Sequence, residues 1–403
     1  MATANGAQGR FFFIHWMQVR DKNRAAAKSD VLRAWRRYEW PGGEFDAARL
    51  LGAGMTAVPM AERADATNGP RFGPAQAAAA DAGRAGDGHD PRGVDVVIVN
   101  WNAGRLLGEC LSALERSTIA PNLHAIIVDN ASTDGSAKNL AMAQGRLAVV
   151  ANDGNRGFGV ACNQGAASGS APYLLFLNPD VRVHPETVGR AVAYLEDRAN
   201  AGVGIVGAQL LDADRRITRT CARRPTASAL LLHTLFLDRL LPSFVPPHFM
   251  VEWDHRDTRE VDQVPGAFLL IRRRLFERLG GFDERFFLYY EDVDLCLAAR
   301  RAGYAVVHYA GATAEHLGGG TTARLIDRRL FHLLRSRVEY AAKHHGRSTA
   351  LALVALILLV ELPARWLYAT LAASPKTGWL VVRGAAMFCH DLYGLSRRIR
   401  ARG

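Results

Sequence analysis

Short apolar runs alternate with longer amphipathic stretches between residues 93 and 320. The runs that predict strands are residues 94–99, 124–128, 147–150, 173–177, 204–206 and 268–271. The stretches that predict helices are residues 106–116, 136–144, 159–167 and 185–197. This alternation predicts an α/β fold with a mostly parallel central sheet, whose ligand crevice lies beyond the carboxyl ends of the strands.

The pattern changes on both sides of this zone. Residues 1–92 are rich in Ala, Gly, Arg and Asp with little apolar periodicity, which predicts a disordered leader. Residues 321–403 begin as a basic amphipathic helix and become strongly apolar at 350–360. We therefore expect three segments: a leader at 1–92, a ligand-binding α/β domain at 93–320 and a helical C-terminal region at 321–403.

The net charge of the chain limits the classes of binding partner but does not select one class. Lys and Arg outnumber Asp and Glu by 50 to 39, a net charge of +11, which favours nucleic acid, anionic lipid or phosphorylated substrates. The basic residues are dispersed and form no nucleic-acid motif, so we expect no nucleic-acid partner. Five cysteines without a C-x-x-C pair predict a reducing cytoplasm and neither a disulfide scaffold nor a zinc module.

Polar side chains follow the first two predicted strands. Asn100 and Asn102 come after one, and Asp129 and Asn130 after the other. Such a shelf could hydrogen-bond a nucleobase and ribose. The alternative is helix capping, which suits residues 132–134, whereas Asp129 lies too far upstream to be the N-cap.

A glycine-rich turn at 152–159 follows the third predicted strand. Backbone amides at the helix start, with Gly157 and Arg156, suit a diphosphate. The turn imitates a dinucleotide fingerprint, but Cys162 replaces the last glycine and the turn is not the first β-α connection, which disfavours a dehydrogenase.

Asn178 and Asp180 end the fourth predicted strand. A carboxylate there could bind a hard divalent cation, and a simple Asn-Pro-Asp turn is the alternative. His316 is a candidate further ligand or phosphate contact, with a structural role equally open.

Three carboxylates, Glu291, Asp292 and Asp294, stand in the apolar and aromatic run 286–296. Burial and mutual repulsion would raise their pKa values, so they are candidates for a general base or a metal site. The alternative is that they only complement a helix dipole.

Five motifs in fixed order resemble glycosyltransferase family 2, and within it the bacterial rhamnosyltransferase-like enzymes. They are VIVNWN at 97–102, VDNASTDGS at 128–136, NRGFGVACNQG at 155–165, NPD at 178–180 and GGFDERFFLYYEDVDLCLAARRAGY at 280–304. The resemblance covers roughly residues 94–346. It implies a GT-A fold, a catalytic domain at 93–320, a nucleotide-sugar donor, Mg²⁺ or Mn²⁺, and inverting transfer.

The resemblance also implies residue roles. It assigns Asp292 as catalytic base and Glu291 as its neighbour that contacts the acceptor or positions the base. It also assigns Asn100, Asn102 and Asp129 to the nucleoside, Arg156 and Asn163 to the donor sugar or diphosphate, and Asp180 to the metal. Beside these roles we expect donor binding by Asn130, Gly157 and Asn178, His316 as a possible further metal ligand, and acceptor contact by Gly266 and Ala267. Two departures stand out, since many relatives have Asp-x-Asp where this chain has Asn178-Pro179-Asp180, and often Ser where it has Pro265.

The apolar run 350–360 would span only about 16 Å as a helix, short of the roughly 30 Å hydrocarbon core. Extending it to residue 373 admits Glu361, Pro363 and Arg365. We therefore expect this region to lie on a membrane surface, with a buried helix in a homodimer contact as the alternative.

These observations predict a peripheral enzyme on the inner face of the bacterial plasma membrane. The expected reaction moves L-rhamnose from dTDP-rhamnose to a glycan or polyprenyl-diphosphate-linked acceptor in cell-envelope polysaccharide synthesis. The alternatives are a family 2 transferase with another donor, or a non-catalytic protein that binds sugar nucleotides or nucleic acid.

Overall fold

A nine-stranded sheet forms the centre of the fold. It is observed in a computed structural model that describes residues 93–138, 140, 142, 145–318 and 325–401. The predicted leader at 1–92 lies outside the described residues. The strands are β1 (Val94–Asn100), β2 (Leu123–Asp129), β3 (Leu147–Ala151), β4 (Tyr173–Leu177), β5 (Val181–Val183), β6 (Val203–Leu211), β7 (Arg259–Glu260), β8 (Phe268–Arg272) and β9 (Ala305–His316).

The spatial order of the strands is β3-β2-β1-β4-β8-β6-β9-β5, with β7 paired to β9 outside this path. Six of the nine described strands run in one direction, and β5, β7 and β8 run against them. The prediction of an α/β fold with a mostly parallel sheet is confirmed. The antiparallel insertion of β8 between β4 and β6 was not predicted, because strand direction depends on connections that a local pattern does not record.

Helices cover the sheet and extend beyond it at the C-terminus. They are α1 (Arg105–Glu115), α2 (Phe158–Ala167), α3 (Thr187–Glu196), α4 (Ala227–Thr234), α5 (Leu237–Leu240), α6 (Arg273–Arg278), α7 (Glu291–Arg301), α8 (Ile326–Leu356), α9 (Leu362–Tyr368) and α10 (Pro375–Ala401). Two π-helical turns, Ile357–Glu361 and Ala369–Ala373, flank α9. The C-terminal helical region is therefore confirmed as helical.

The central strands are buried on both faces, which explains their continuous apolar sequences. Alternate residues of β1 join two separate apolar clusters, Val96 and Ile98 in one and Val97 in the other. All residues of β4 are buried. A sheet covered on both sides leaves its strand ends as the accessible place for polar chemistry.

All six predicted strands form, whereas one predicted helix does not. Among the described residues of 136–144, residues 136–138 form a turn and 140 and 142 are irregular. Ser136 bonds to residues outside the predicted helix: its hydroxyl donates to Asp134 Oδ1 at 2.6 Å and accepts from Asn100 Nδ2 at 2.9 Å. Side-chain hydrogen bonds of this kind compete with a helix.

Gly165 lets α2 approach the sheet, so we expect Gly165→Ala to lower the free energy of unfolding by about 1–3 kcal/mol. An added Cβ would lie 2.4 Å from Val97 Cγ1 and 3.1 Å from Val128 Cγ2. Gly108→Ala in α1 is the matched control, because nothing lies within 4 Å of its Cβ position. Better helix propensity should make that control about 0.5–1 kcal/mol more stable. Chemical denaturation measures both, and equal effects would contradict the close packing.

Candidate active site

The ends of β1 and β2 bring two predicted residues together. Asn100 and Asp129 are paired in register, and Asn100 Nδ2 donates to Asp129 Oδ1 at 2.7 Å. Ser132 adds its hydroxyl to the same oxygen at 2.6 Å and its backbone N–H to Oδ2 at 3.2 Å. Asp129 is thus a pre-oriented acceptor at the mouth of the sheet, with capacity left on Oδ2.

Asn102 hydrogen-bonds to the segment that follows β2. Its backbone has a left-handed φ of 54°, and its Oδ1 accepts from the N–H groups of Thr133 at 2.7 Å and Asp134 at 3.2 Å. Asp134 in turn accepts from Gly104 N at 2.8 Å. The two predicted polar segments therefore form one connected shelf.

A network of side-chain amides supports the glycine-rich turn. Asn130 Nδ2 donates to Gly157 O at 3.1 Å, and its Oδ1 accepts from Asn152 Nδ2 at 2.9 Å. Asn152 and Gln164 bond to each other twice at 2.9 Å. Sequence reasoning missed Asn152 and Gln164 as positioning residues, although both lie within or next to the motif that it singled out.

Gly157 has a steric requirement as well as a left-handed φ of 91°. An added Cβ would lie 2.6 Å from Phe287 O, and the same carbonyl accepts from Phe158 N at 2.8 Å. The turn predicted to hold diphosphate is therefore in direct contact with the loop that precedes the acidic cluster.

The predicted metal residues also meet. Asp180 is buried, and its Oδ1 lies 3.3 Å from His316 Nε2. Antiparallel pairing of β5 with β9 produces this contact, since Val181 is opposite His316. No strand was predicted at 305–316, so the sequence could not show that these residues are neighbours.

Two hydrogen bonds donated by backbone N–H groups connect the end of β4 to the acidic cluster. Asn178 N donates to Ala267 O at 3.0 Å, and Gly266 N donates to Asp292 Oδ2 at 3.0 Å. An added Cβ on Gly266 would lie 3.5 Å from Phe158 Cε1. The predicted metal, acceptor, donor and base segments therefore converge on one region.

The three carboxylates of the cluster have different surroundings, although all lie in the first turn of α7. Asp294 pairs with Lys343 Nζ at 2.8 Å and His344 Nε2 at 2.7 Å. Glu291 is buried, and its Oε2 has no hydrogen-bond partner within the described residues. Asp292 is partly exposed. The helix-dipole reading accounts for all three positions but not for these differences.

Electrostatics separate Glu291 from Asp292. Burial, together with the charge of Asp292, raises the pKa of Glu291 well above its usual range. Burial also raises the pKa of Asp292, and this rise is opposed by hydrogen bonds from Gly266, Val293 and Gln263. Glu291 is therefore the carboxyl that favours the neutral form, while Asp292 keeps hydrogen bonds that favour its anion.

The acidic cluster is reached through a strained turn. Tyr289 and Tyr290 have φ values of 69° and 72°, a conformation that costs a non-glycine residue about 1–2 kcal/mol. Such strain persists only where surrounding contacts over-determine it.

One side of α8 supplies those contacts. Arg329 Nε donates to Tyr289 Oη at 3.0 Å, Ser336 Oγ donates to Leu288 O at 2.9 Å, and His332 stacks on Phe287 at 4.4 Å. Lys343 then joins Asp283 at 2.7 Å to Asp294. These α8 residues escape motif reading because they lie some forty to sixty positions from their partners.

Two residues predicted to bind the sugar donor, Asn163 and Arg156, lie outside the network of side-chain amides. Asn163 donates to Phe282 O at 2.9 Å and Glu284 Oε1 at 3.1 Å, so its amide holds the loop before the acidic cluster. Arg156 is exposed at the glycine-rich turn. The contacts of Asn163 support a positioning role, and its donor role stays a prediction.

Residues 95–280 match the model of Glycosyl transferase family 2. The match bears out the family resemblance predicted from the five motifs, and the α/β sheet with its helical C-terminal region agrees with the predicted GT-A fold.

Curated relatives include two rhamnosyltransferases. N-acetylglucosaminyl-diphospho-decaprenol L-rhamnosyltransferase from Mycobacterium tuberculosis is 27% identical over 245 residues, which cover 57% of this chain and 77% of the relative. Rhamnosyltransferase WbbL from Escherichia coli K12 is 27% identical over 180 residues, which cover 42% of this chain and 62% of the relative.

Solved structures resemble the chain more distantly. A mannosyltransferase from Pyrobaculum calidifontis in complex with GDP-Man and Mn²⁺ is 20% identical with a TM-score of 0.44, covering 78% of this chain and 86% of its own. The TarS 1–349 structure from S. aureus is 12% identical with the same TM-score, covering 77% and 82%. Likenesses at this level say nothing about ligands or residue roles.

Replacing Lys343 with Met should lower the turnover number for sugar transfer roughly tenfold or more and leave donor KM nearly unchanged. The reason is positional: without the ammonium group that joins Asp283 to Asp294, the turn before Asp292 loosens, and small displacements of a reacting group are costly. Steady-state kinetics at a temperature where the variant is folded measures the effect.

Two further variants sharpen this test. Lys343→Arg keeps the charge and should recover part of the turnover number, and Arg256→Met, at an exposed position outside the C-terminal helices, should have no effect. A normal turnover number in folded Lys343→Met would show that the ion pairs of Lys343 with Asp283 and Asp294 do not position Asp292.

Proposed function

We propose that this chain is a metal-dependent inverting glycosyltransferase that moves L-rhamnose from dTDP-rhamnose to a hydroxyl of a lipid-linked saccharide. The family domain supports sugar transfer, and the names of the two curated relatives support rhamnose as the donor sugar. An acceptor linked to a polyprenyl diphosphate is supported by the Mycobacterium tuberculosis relative, whose name specifies a decaprenol diphosphate. The product would enter cell-envelope polysaccharide.

The observation that carries the proposal is the placement of Asp292. It is the cluster carboxylate that is partly exposed and hydrogen-bonded through Gly266, beside Phe158 of the glycine-rich turn. Asp292 would accept the proton of the acceptor hydroxyl as that oxygen attacks the sugar carbon. Asn100 and Asp129 would hold the nucleoside, and the backbone N–H groups of Gly159 and Val160, which follow Phe158, would face the diphosphate.

Asp180 and His316 would hold the divalent cation, Mg²⁺ or Mn²⁺. An imidazole and a buried carboxylate 3.3 Å apart fit such an ion, and no group of three or more ligand side chains occurs among the described residues. The remaining positions would fall to diphosphate oxygens and water, as is usual for Mg²⁺. When bound, the ion would neutralise charge on the leaving nucleoside diphosphate.

The proposed setting is the inner face of a bacterial plasma membrane. Residues 93–320 would be catalytic, 321–403 would associate with the membrane surface, and 1–92 would be a dispensable leader. By length and composition one described helical run, Ile326–Ala373, could cross a membrane. We favour peripheral attachment, because Glu361 lies near the middle of its apolar part.

Asp292→Asn should reduce transfer by about 10²- to 10⁴-fold while donor affinity changes little, because the substitution removes the base and preserves its shape. Nucleoside diphosphate release from a panel of nucleotide sugars measures turnover, and calorimetry measures donor binding. Asp214→Asn, at an exposed position, serves as control. Turnover within tenfold of the unmodified enzyme would refute the assignment, and preference for another nucleotide sugar would refute rhamnose.

Asp180→Ala should weaken metal-dependent donor binding by at least about tenfold and abolish transfer at ordinary Mg²⁺ or Mn²⁺ concentrations. His316→Ala should have a smaller effect, because it removes a neutral ligand and not an anion. Titration of each metal into chelator-treated enzyme, read by donor binding, gives the comparison. Full transfer in excess chelator would show that Asp180 has another role.

A further inference from the structure

The helical run from Ile326 to Ala373, which begins with α8, consists of two arms joined at a break. Gly346 has φ 86° and ψ 170°, which no helix contains. The first arm, residues 326–345, holds the loop before Asp292. The second, which we call the return arm, comprises residues 347–373 and comes back along the first, since Arg337 forms a buried ion pair with Glu361.

The return arm has its polarity reversed relative to an ordinary surface helix. Five of its large apolar side chains are exposed: Leu351, Leu359, Trp366, Leu367 and Leu371 are 68%, 76%, 47%, 51% and 71% exposed. Its carboxylate, Glu361, is 1% exposed and pairs with Arg337 and Arg365. A helix that directs charge inward and apolar groups outward is shaped for contact with an apolar phase.

A second apolar element lies beside it, in the middle of the chain. Residues 237–245, which we call the wedge loop, expose Leu240, Leu241 and Phe244 by 71%, 48% and 82%. Arg239 of this loop lies close enough to Arg365 and Glu361 to feel their charges. Helix α4, which directly precedes the loop, packs on α8 and on the Ile357–Glu361 turn. The loop and the return arm therefore belong to one surface.

The charge around this surface is strongly biased. Residues 326–401 contain twelve Lys and Arg against four Asp and Glu, so this fifth of the chain carries +8 of the net +11. Aromatic side chains with polar tips, Tyr368, Trp379 and Tyr393, are exposed among them. Cations and amphipathic aromatic rings around an apolar face match the headgroup region of an anionic bilayer.

We propose that the wedge loop and the return arm together seat the protein in the plane of an anionic bilayer, with Leu240, Leu241 and Phe244 inserted beside the return arm. This inference deepens the peripheral attachment in the proposed function and rests on it. The return arm does not cross the bilayer, because Glu361 is tied to Arg337 of the arm that packs on the catalytic loop. The inserted loop gives the seating two points of contact and hence a fixed orientation.

Flotation of the full chain with vesicles tests the proposal. The vesicles are phosphatidylcholine alone or mixed with phosphatidylglycerol, at low and high salt. Phe244→Ser should lower the partition coefficient roughly tenfold, because it removes a large apolar side chain from the inserted surface. Leu240→Ser with Leu241→Ser should have at least as large an effect. Val149→Ser is the matched control, since Val149 is 49% exposed on β3.

The supporting result is a loss with the wedge-loop variants and none with Val149→Ser, in folded proteins, together with weaker binding at high salt or without phosphatidylglycerol. Unchanged flotation of the wedge-loop variants would overturn the proposal. So would a lipid-free dimer, seen by light scattering, that the same substitutions dissociate, because a second copy would then cover the surface. Flotation needs no turnover, so failure of the transferase proposal would appear separately in the nucleotide-release assay.

Discussion

The ion pair of Asp294 with Lys343, together with the hydrogen bond between Asp294 and His344, is the interaction on which the candidate site depends. The two contacts attach the first turn of α7 to the first arm of α8 at distances of 2.7–2.8 Å. Removing one partner of a buried pair is costly because the other charge stays buried. The same contacts occupy Asp294, and Glu291 is buried, so Asp292 is the one carboxylate of the three that is partly exposed.

This attachment also explains how the chain tolerates a strained approach to Asp292. Tyr289 and Tyr290 are both left-handed, and α8 contacts the loop at Leu288 and Tyr289. On its other side the loop meets the glycine-rich turn, where Phe287 O accepts from Phe158 N. The proposed base, Asp292, and the turn proposed to bind diphosphate are therefore positioned by the same loop. The distance between them does not depend on two independently mobile loops.

The C-terminal helices have two roles that a linear division into domains would separate. The first arm of α8 contacts the loop before Asp292, while the return arm directs apolar side chains outward. Arg337 and Glu361 join the two arms. If a bilayer contacts the return arm, the Arg337–Glu361 ion pair links that arm directly to the first arm of α8, which holds the loop before Asp292. The proposed membrane contact is thus connected to the site through this ion pair.

The sequence by itself determined six of the nine described strands, the family and the segments that meet at the site. Buried parallel strands read as apolar runs, and the polar residues after them are local signals, so Asn100, Asp129 and Asp180 could be identified from short stretches. Only the tertiary structure decided which neighbours they have. The contact of Asp180 with His316 follows from antiparallel pairing of β5 with β9, and the pairing of Asp294 with Lys343 and His344 follows from packing of α8. At the start of the predicted helix 136–144, Ser136 instead accepts a hydrogen bond from Asn100 and donates one to Asp134. These outcomes depend on partners far away in the chain, and a pattern of nearby residues carries no record of them.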